Sequence, residues 1–556
     1  MAKPDRLIYL ALGGAGEIGM NMYVYGYGPQ DAERFIVVDC GVTFPNMDSS
    51  PGVDLIVPDP HWLQARADRI EAIFITHAHE DHVGAVGHLF PRLKAPVIYA
   101  RRFTAAHAKL KMERAGQDTT LVHQVDAWPR TVEAGPFTVG FLPVSHSIPE
   151  ASSLVIDTPA GRIVHSADFK IDATPIVGEP FQPELFREVG AKGVKALICD
   201  STNVFVSHPG RSEASLSEAL GAVMRETKGM VVATTFASNV ARLKTLAEAG
   251  QAAGRSVLVL GRAMRQMLAT ARTAEVLDSF PPVLEPQDAA DVARGKLLVL
   301  ATGSQGERRA ASAQLAAGSY QGIELKPGDL FLFSSKTIPG NEVEVARILN
   351  QLSERGIRAI DDTDGRYHVS GHPNRPDLVS MHGLIDPVTV IPNHGEHRHL
   401  TAHAELAREL GRKGLVAANG AIVDVTDEAR IVGHAETGRL YLDGSTMIGA
   451  MEGVVRDRLR MALRGHLAVS VIFDEEGRPM GGVWVEGLGL PDTRRYPDGL
   501  AAAVEAAIDQ SLGRAKRSDL ADDDAVERMV VQASNRICMD LVGKKPVVTV
   551  MISRLD

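Results

Sequence analysis

Short runs of consecutive or alternating apolar residues, each closed by Gly, Pro or Asp, dominate the first 200 positions and predict strands at 7–12, 35–40, 73–76, 97–100, 137–144, 153–157, 162–165 and 196–200. Few helices interrupt them: one is expected to begin within 77–82 and run on through 83–89, and another covers 104–115. From Ser212 the texture changes. Leu216, Leu220, Val223 and Met224 recur at helical spacing, with Ser212 and Ser215 as candidate caps. Helices then alternate with apolar runs at 230–235, 256–260, 296–301 and 329–334, which predicts a doubly wound α/β domain. Strand-rich, histidine-rich sequence returns near Arg358 and lasts to about Asp443, so one domain is interrupted by another. The tail offers strands at 467–473, 482–486 and 547–552 around two helices, one aligning Leu500, Val504, Ile508 and Leu512, the other Val526, Met529, Val530, Ala533 and Ile537. The expected layout is a first domain over 1–205, an inserted one over 206–357, the rest of the first over 358–450, a basic linker at 451–465 and a small α+β domain over 466–556.

Composition narrows the class. The chain has 556 residues, 45% of them hydrophobic, enough to bury several cores, and no apolar run approaches the roughly 18 residues of a membrane span. The start, Met1-Ala2-Lys3-Pro4-Asp5-Arg6, has no signal-peptide apolar stretch, so a cytoplasmic protein without a membrane partner is expected. Cys40, Cys199 and Cys538 are few and scattered, which predicts buried thiols and excludes a disulfide framework. A net charge of −10 argues against indiscriminate coating of nucleic acid, although segment 206–356 is nearly charge-balanced and leaves room for a local basic channel.

The densest chemistry is His77-Ala78-His79-Glu80-Asp81-His82, directly after the apolar run 72–75. Three imidazoles and an aspartate within six residues at a strand end match what zinc accepts. Further ligands are expected at the ends of other strands, and three positions qualify: His146 after 141–145, Asp168 after 162–167 and His394 after 388–393. One motif points elsewhere. Gly14-Ala15-Gly16-Glu17-Ile18-Gly19 fits the dinucleotide-binding fingerprint, with Asp39 about twenty residues on. That mechanism needs a helix behind the glycines, whereas 21–28 alternates like a strand, so the turn is expected instead to pass beneath the metal centre.

These motifs, together with Asp200-Ser201-Thr202-Asn203, Thr302-Gly303-Ser304-Gln305-Gly306-Glu307, 334–342, His368-Val369-Ser370-Gly371-His372 and 394–400, resemble the metallo-β-lactamase superfamily, its β-CASP branch and the ribonuclease J family within it. The resemblance covers nearly the whole chain. It implies an αββα sandwich interrupted by a doubly wound α/β β-CASP domain, followed by a C-terminal α+β domain. It also implies a two-zinc ribonuclease, with Mn2+ or Mg2+ able to serve in activity, that digests RNA from 5′-monophosphate ends and also cuts internally in RNA processing and decay. One zinc would be held by His77, His79 and His146, the other by Asp81, His82 and His394, with Asp168 bridging. His372 would act as general acid with Asp200 orienting it, and Asp81 counts among the catalytic residues. Ser334, Ser335, His368, Ser370 and Gly371 are candidates for a terminal-phosphate pocket, and Phe44 for base stacking. Lys109, Lys111 and Arg114 are expected to face solvent. The partners implied are RNA, further copies of the chain in a dimer or tetramer, and other RNA-decay proteins.

The sequence departs from the family pattern at Met20, Pro373 and Asn393, none of them a ligand. Two other readings stay open at this point: a small-molecule ester or lactone hydrolase of the same superfamily, and a catalytically silent RNA-binding subunit. The roughly 150-residue insertion speaks against the first, because a compact substrate needs no second wall.

Overall fold

The computed structural model describes residues 4–363, 365–492 and 496–555. Two compact units are present, Met1–Thr43 with Val57–Arg439 and Phe44–Ile56 with Leu440–Asp556.

Two sheets form the heart of the first unit. One runs in the order Arg430–His434, Ala421–Asp424, Asp5–Gly13, Met22–Pro29, Arg34–Val38, Ile70–Ile75, Ile98–Ala100 and Val122–Gln124. The other runs Lys413–Gly414, Thr389–Asn393, Ala196–Asp200, Gly161–His165, Ser152–Thr158, Phe137–Pro143 and Thr131–Ala134. Their alternating side chains meet in one core, Tyr9, Tyr23, Tyr25 and Phe74 from the first sheet against Phe141, Leu154, Ile156 and Ile198 from the second. The other face of the second sheet, through Val155, Val164, Leu197 and Val390, packs on Phe186, Leu378, Met381, Ile385 and Leu406 of helices Pro183–Gly190, Arg375–Ile385 and His397–Glu409. Helices Val86–Leu93 and Arg102–Arg114 pack on each other, with Leu89, Phe103, Ala108 and Met112 buried. This is the expected αββα arrangement.

The expected doubly wound insertion is also present. Its six-stranded parallel sheet has the order Val283–Leu284, Ser256–Leu260, Leu297–Ala301, Val231–Thr234, Leu330–Phe333 and Arg358–Ile360. The strands read as unbroken apolar runs because both faces are covered. Val231, Val257, Leu298 and Leu332 face one helical layer, while Val232, Leu258, Val299 and Phe331 face another that includes Ile348 and Leu352.

The second unit carries a three-stranded sheet, Pro479–Leu488, His466–Phe473 and Val547–Arg554, backed by helices Gly499–Gly513 and Asp523–Val542. Residues expected as a basic linker fold instead as the helix Val454–Arg464. Arg, Leu, Met and Ala are strong helix formers, Val455 is buried, and Arg458 pairs with Asp443 at 2.6 Å.

Candidate metal centre

The first unit gathers its polar side chains at the carboxyl ends of strands. Parallel pairing of Gly161–His165, Ala196–Asp200 and Thr389–Asn393 sets Asp200 opposite Asn393, so the residues that follow these strands, Asp168 and His394, emerge beside Asp200. Asp39, Ala167 and His394 adopt left-handed backbone angles of 64°, 51° and 46°, turning the chain inward where each strand stops. Such conformations cost about 1–3 kcal/mol each and persist where surrounding structure enforces them.

All seven expected ligands converge. His79 Nδ1 lies 3.2 Å from His77 Nε2 and 3.1 Å from His146 Nε2. Imidazole nitrogens bound ~2.0–2.1 Å from one tetrahedral ion lie roughly 3.3 Å apart, so this trio has the spacing of a ligand set. Asp81 Oδ2 is 3.2 Å from His394 Nε2 and 3.6 Å from His82 Nε2, which defines a second set. Asp168 Oδ2 sits between them, 3.2 Å from His82, 3.7 Å from His77 and His394 and 3.8 Å from His146.

What holds each imidazole shows which nitrogen is left for a metal. His82 Nδ1 donates to Asp39 Oδ2 at 2.7 Å, and His146 Nδ1 donates to the Gly371 carbonyl at 2.7 Å. His77 Nδ1 donates to Thr76 Oγ1 (3.0 Å), whose own proton goes to Asp39 Oδ2 (2.9 Å). His394 Nδ1 donates to Thr202 Oγ1 (2.8 Å), whose proton goes to Asp200 Oδ1 (2.7 Å). Each of these four rings therefore presents Nε2 to the centre. Asn21 Nδ2 donates to Asp81 Oδ2 at 3.2 Å, and Tyr23 hydroxyl donates to Asn21 Oδ1 at 2.7 Å.

The electrostatics fit a cation site. Burial holds His77 and His146 well below the usual imidazole pKa and His79 down at about 4, so these three are neutral donors. Burial also opposes charge on Asp81 and Asp168, but neighbouring imidazoles outweigh it and keep both carboxyls below the usual range. Around His82 and His394 the carboxylates reverse the effect of burial and raise both pKa values. That half of the site favours positive charge, which a divalent ion would supply in place of imidazolium protons.

The glycine-rich turn passes beneath the centre, as expected. Gly14 carbonyl accepts from His394 N at 2.7 Å, Asn21 N donates to the Asp81 carbonyl at 2.9 Å, and the following residues form the strand Met22–Pro29. Gly41 packs so close to Asp81 that an added Cβ would lie 1.7 Å from its carbonyl oxygen. Met20 is buried here with a left-handed φ of 55°.

Beside the ligands, His372 Nδ1 donates to Asp200 Oδ2 at 2.8 Å and lies 3.9 Å from Asp168. Burial disfavours its charge, but Asp200 and Asp168 prevail and hold its pKa up at about 9. Its ring is 23% exposed, and Nε2 has no protein partner among the described residues. Pro373 leads into Asn374, which forms a capping box with Asp377 and starts the helix Arg375–Ile385. Asn393 is buried with its Oδ1 unpartnered.

The candidate phosphate residues also assemble. Ser335 hydroxyl is buried and has no partner among the described residues, while Ser370 Oγ accepts from Asn203 Nδ2 (2.8 Å) and His372 N (3.1 Å), keeping its proton free to donate. Ser334 hydroxyl is committed inward, donating to the Tyr367 carbonyl at 2.6 Å. Arg242, fully buried and paired with Glu213, ties these loops together through Ser334 O (2.7 Å), His368 Nδ1 (3.2 Å) and Val369 O (3.2 Å). Phe44 belongs to the second unit and is 64% exposed. Of the helix cations, Lys111 is not free: its ammonium donates to Glu80 Oε2 at 2.6 Å.

Asp39, Thr76, Thr202 and Asn21 were not foreseen. Asp39 could have been found by the rule that found the ligands, since it too follows a strand. Cys199, His382 and His403 also approach one another, away from the seven candidate ligands. The imidazoles of His382 and His403 are parallel within 10° and meet edge to edge with Nε2 atoms 3.0 Å apart, a direct hydrogen bond.

Comparison with known proteins bears on the same residues. Family descriptions match at residues 16–225 (metallo-beta-lactamase superfamily), 228–352 (ribonuclease J, beta-CASP domain), 366–417 (Zn-dependent metallo-hydrolase RNA specificity domain) and 453–555 (ribonuclease J C-terminal domain). A ribonuclease J of Sinorhizobium meliloti is 41% identical, covering 100% of this chain and 98% of its own. Ribonuclease J of Mycolicibacterium smegmatis is 34% identical over 91% of this chain and 90% of its own. A solved Enterococcus faecalis protein of unknown function shares the fold, with a TM-score of 0.51 at 17% identity over 75% of this chain and 100% of its own.

Proposed function

The chain belongs to the ribonuclease J family, metal-dependent nucleases of the metallo-β-lactamase superfamily, and from that premise we propose that it hydrolyses RNA with two zinc-type cations, proceeding 5′ to 3′ from monophosphorylated ends and also cutting internally. The observation that carries this reading is the convergence of seven candidate ligand side chains beside the His372–Asp200 pair.

His77, His79 and His146 would hold one cation, Asp81, His82 and His394 the other, and Asp168 would touch both. The ions when bound supply Lewis acidity toward water and the scissile phosphate. The protein does the rest. Asp39, Thr76, Thr202 and Gly371 fix the ligand tautomers, so little reorganisation accompanies the reaction. Hydrolysis leaves a developing 3′ oxyanion, and His372 gives it a proton from Nε2 while Asp200, oriented by Thr202, stabilises the imidazolium until transfer. Ser335, Ser370, His368 and the Gly371 backbone supply neutral donors for a terminal phosphate, with Ser334 and Arg242 holding their loops. Neutral donors suit a monophosphate by counting hydrogen bonds rather than pairing charge.

The outer face of the second unit's sheet supports self-association. Ile472, Met480, Trp484, Leu488 and Met551 are all exposed there, an apolar surface of the kind that marks contact sites.

The purified protein, stripped with chelator and given back Zn2+ or Mn2+, is expected to digest 5′-monophosphorylated RNA faster than 5′-triphosphorylated RNA. Cleavage that survives the chelator would sink the metal reading, and indifference to the 5′ end would sink the phosphate pocket.

A further inference from the structure

The loop that leaves Asp200 carries one residue the catalytic scheme does not use. Phe205 is 56% exposed, and among the described residues of the first unit it is the only Phe or Trp more than a third exposed. Burying such a ring is worth roughly 1.5–3 kcal/mol, so its place in water forgoes stability. The ring is nonetheless fixed. His399 packs against it with centroids 5.1 Å apart at 51°, and the Arg398 guanidinium carbon lies 5.7 Å from its centre. The backbone on either side is pinned by Val204 N to Ser201 O (3.1 Å), Val206 N to Asn203 O (2.9 Å) and Arg375 N to Val206 O (3.0 Å).

The same short loop is built into the centre. Thr202 orients Asp200 and His394, and Asn203 Nδ2 reaches Ser370 Oγ and the His372 carbonyl (3.3 Å). His399, the ring's neighbour, packs against Gly395, next to the ligand His394. Phe205 thus stands on the rim of the wall that holds the general acid and one ligand.

We propose that Phe205 is a stacking platform for one nucleobase of the RNA strand next to the catalytic centre, steadied by Arg398 and His399. The inference rests on reading the chain as a ribonuclease. A flat apolar ring accepts any base through its π face, which suits an enzyme that must pass arbitrary sequence. Its order in the free protein removes an entropic cost from each encounter. The surroundings argue against a protein partner: Glu396, His397 and Arg398 are exposed and polar, with Arg398 Nε donating to Glu396 at 2.9 Å, whereas interface centres are depleted of charge.

The test uses the metal-loaded enzyme and a series of 5′-monophosphorylated oligoribonucleotides in which one abasic site is walked along the strand. Phe205→Ala is expected to raise KM roughly five- to a hundredfold with kcat changed less than threefold, and Phe205→Trp to restore the parent KM. One abasic position is expected to raise the parent's KM by a similar factor and to leave that of Phe205→Ala unchanged. Identical abasic profiles for parent and Phe205→Ala would overturn the proposal. So would a Phe205→Ala defect that appears only as a changed sedimentation coefficient, which would assign the ring to a protein contact. A parent enzyme that fails to cleave any RNA would instead refute the nuclease reading itself.

Discussion

At the scale of single residues, the centre depends as much on what grips the ligands as on the ligands. Asp39 touches no cation in the proposed scheme, yet it receives protons from His82 and, through Thr76, fixes His77. Asp39→Asn keeps the shape and offers an N–H where a lone pair is needed. It is expected to weaken metal retention about 10–100-fold, read by competition with a chromogenic chelator; unchanged retention would remove Asp39 from the site. His372→Gln is expected to lower kcat about 10²–10⁴-fold while bound metal stays at the parent level. Loss of metal together with activity would make His372 a ligand and not an acid. The convergence of the seven candidate ligands was legible in the sequence because each follows a strand, and parallel strands deliver their ends to one edge. Asp39 obeys the same rule but hid inside a dinucleotide-like pattern. Thr76 and Thr202 gave no signal at all, since a hydroxyl's role depends on which imidazole the fold sets beside it.

At the scale of elements, apolar runs located the strands to within a few residues, and the onset of amphipathic helices at Ser212 marked where the inserted domain begins. Within the segment 451–465 the chain forms the helix Val454–Arg464, because a high density of arginine suits an exposed helix as well as a solvated connector. The His382–His403 pair lay beyond sequence reasoning, its partners coming from two helices, Arg375–Ile385 and His397–Glu409, that meet only in the fold. Burial drives His382 down to about 2 and His403 down to about 4, against about 6.5 in an unfolded chain. Both are neutral in the fold, so their contribution is complete above about pH 6.5 and is lost as pH falls, because the unfolded chain takes up protons the native one refuses. Each group gives a slope of about 1.4 kcal/mol per pH unit between roughly pH 6 and 4. The double variant His382→Gln, His403→Gln is expected to lose about 3 kcal/mol less than the parent between pH 7.5 and 5.5 in urea unfolding. Equal losses would show that the pair is not buried neutral.

At the scale of the whole molecule, the outer face of the second unit's sheet exposes Trp484, opposite Ser470 on the neighbouring strand. Trp484→Glu puts a charge where self-association would exclude water. It is expected to shift the protein toward monomer in sedimentation velocity with catalysis per chain retained, and an unchanged sedimentation coefficient would rule this face out as the contact. The order of the chain has a consequence of its own. The centre draws one ligand loop from Asp81 and its neighbours, then waits through the entire inserted domain for His372 and His394. During synthesis the early histidines emerge long before the acid and the last ligand, so a growing polypeptide lacks a working blade until the ribosome has passed His394.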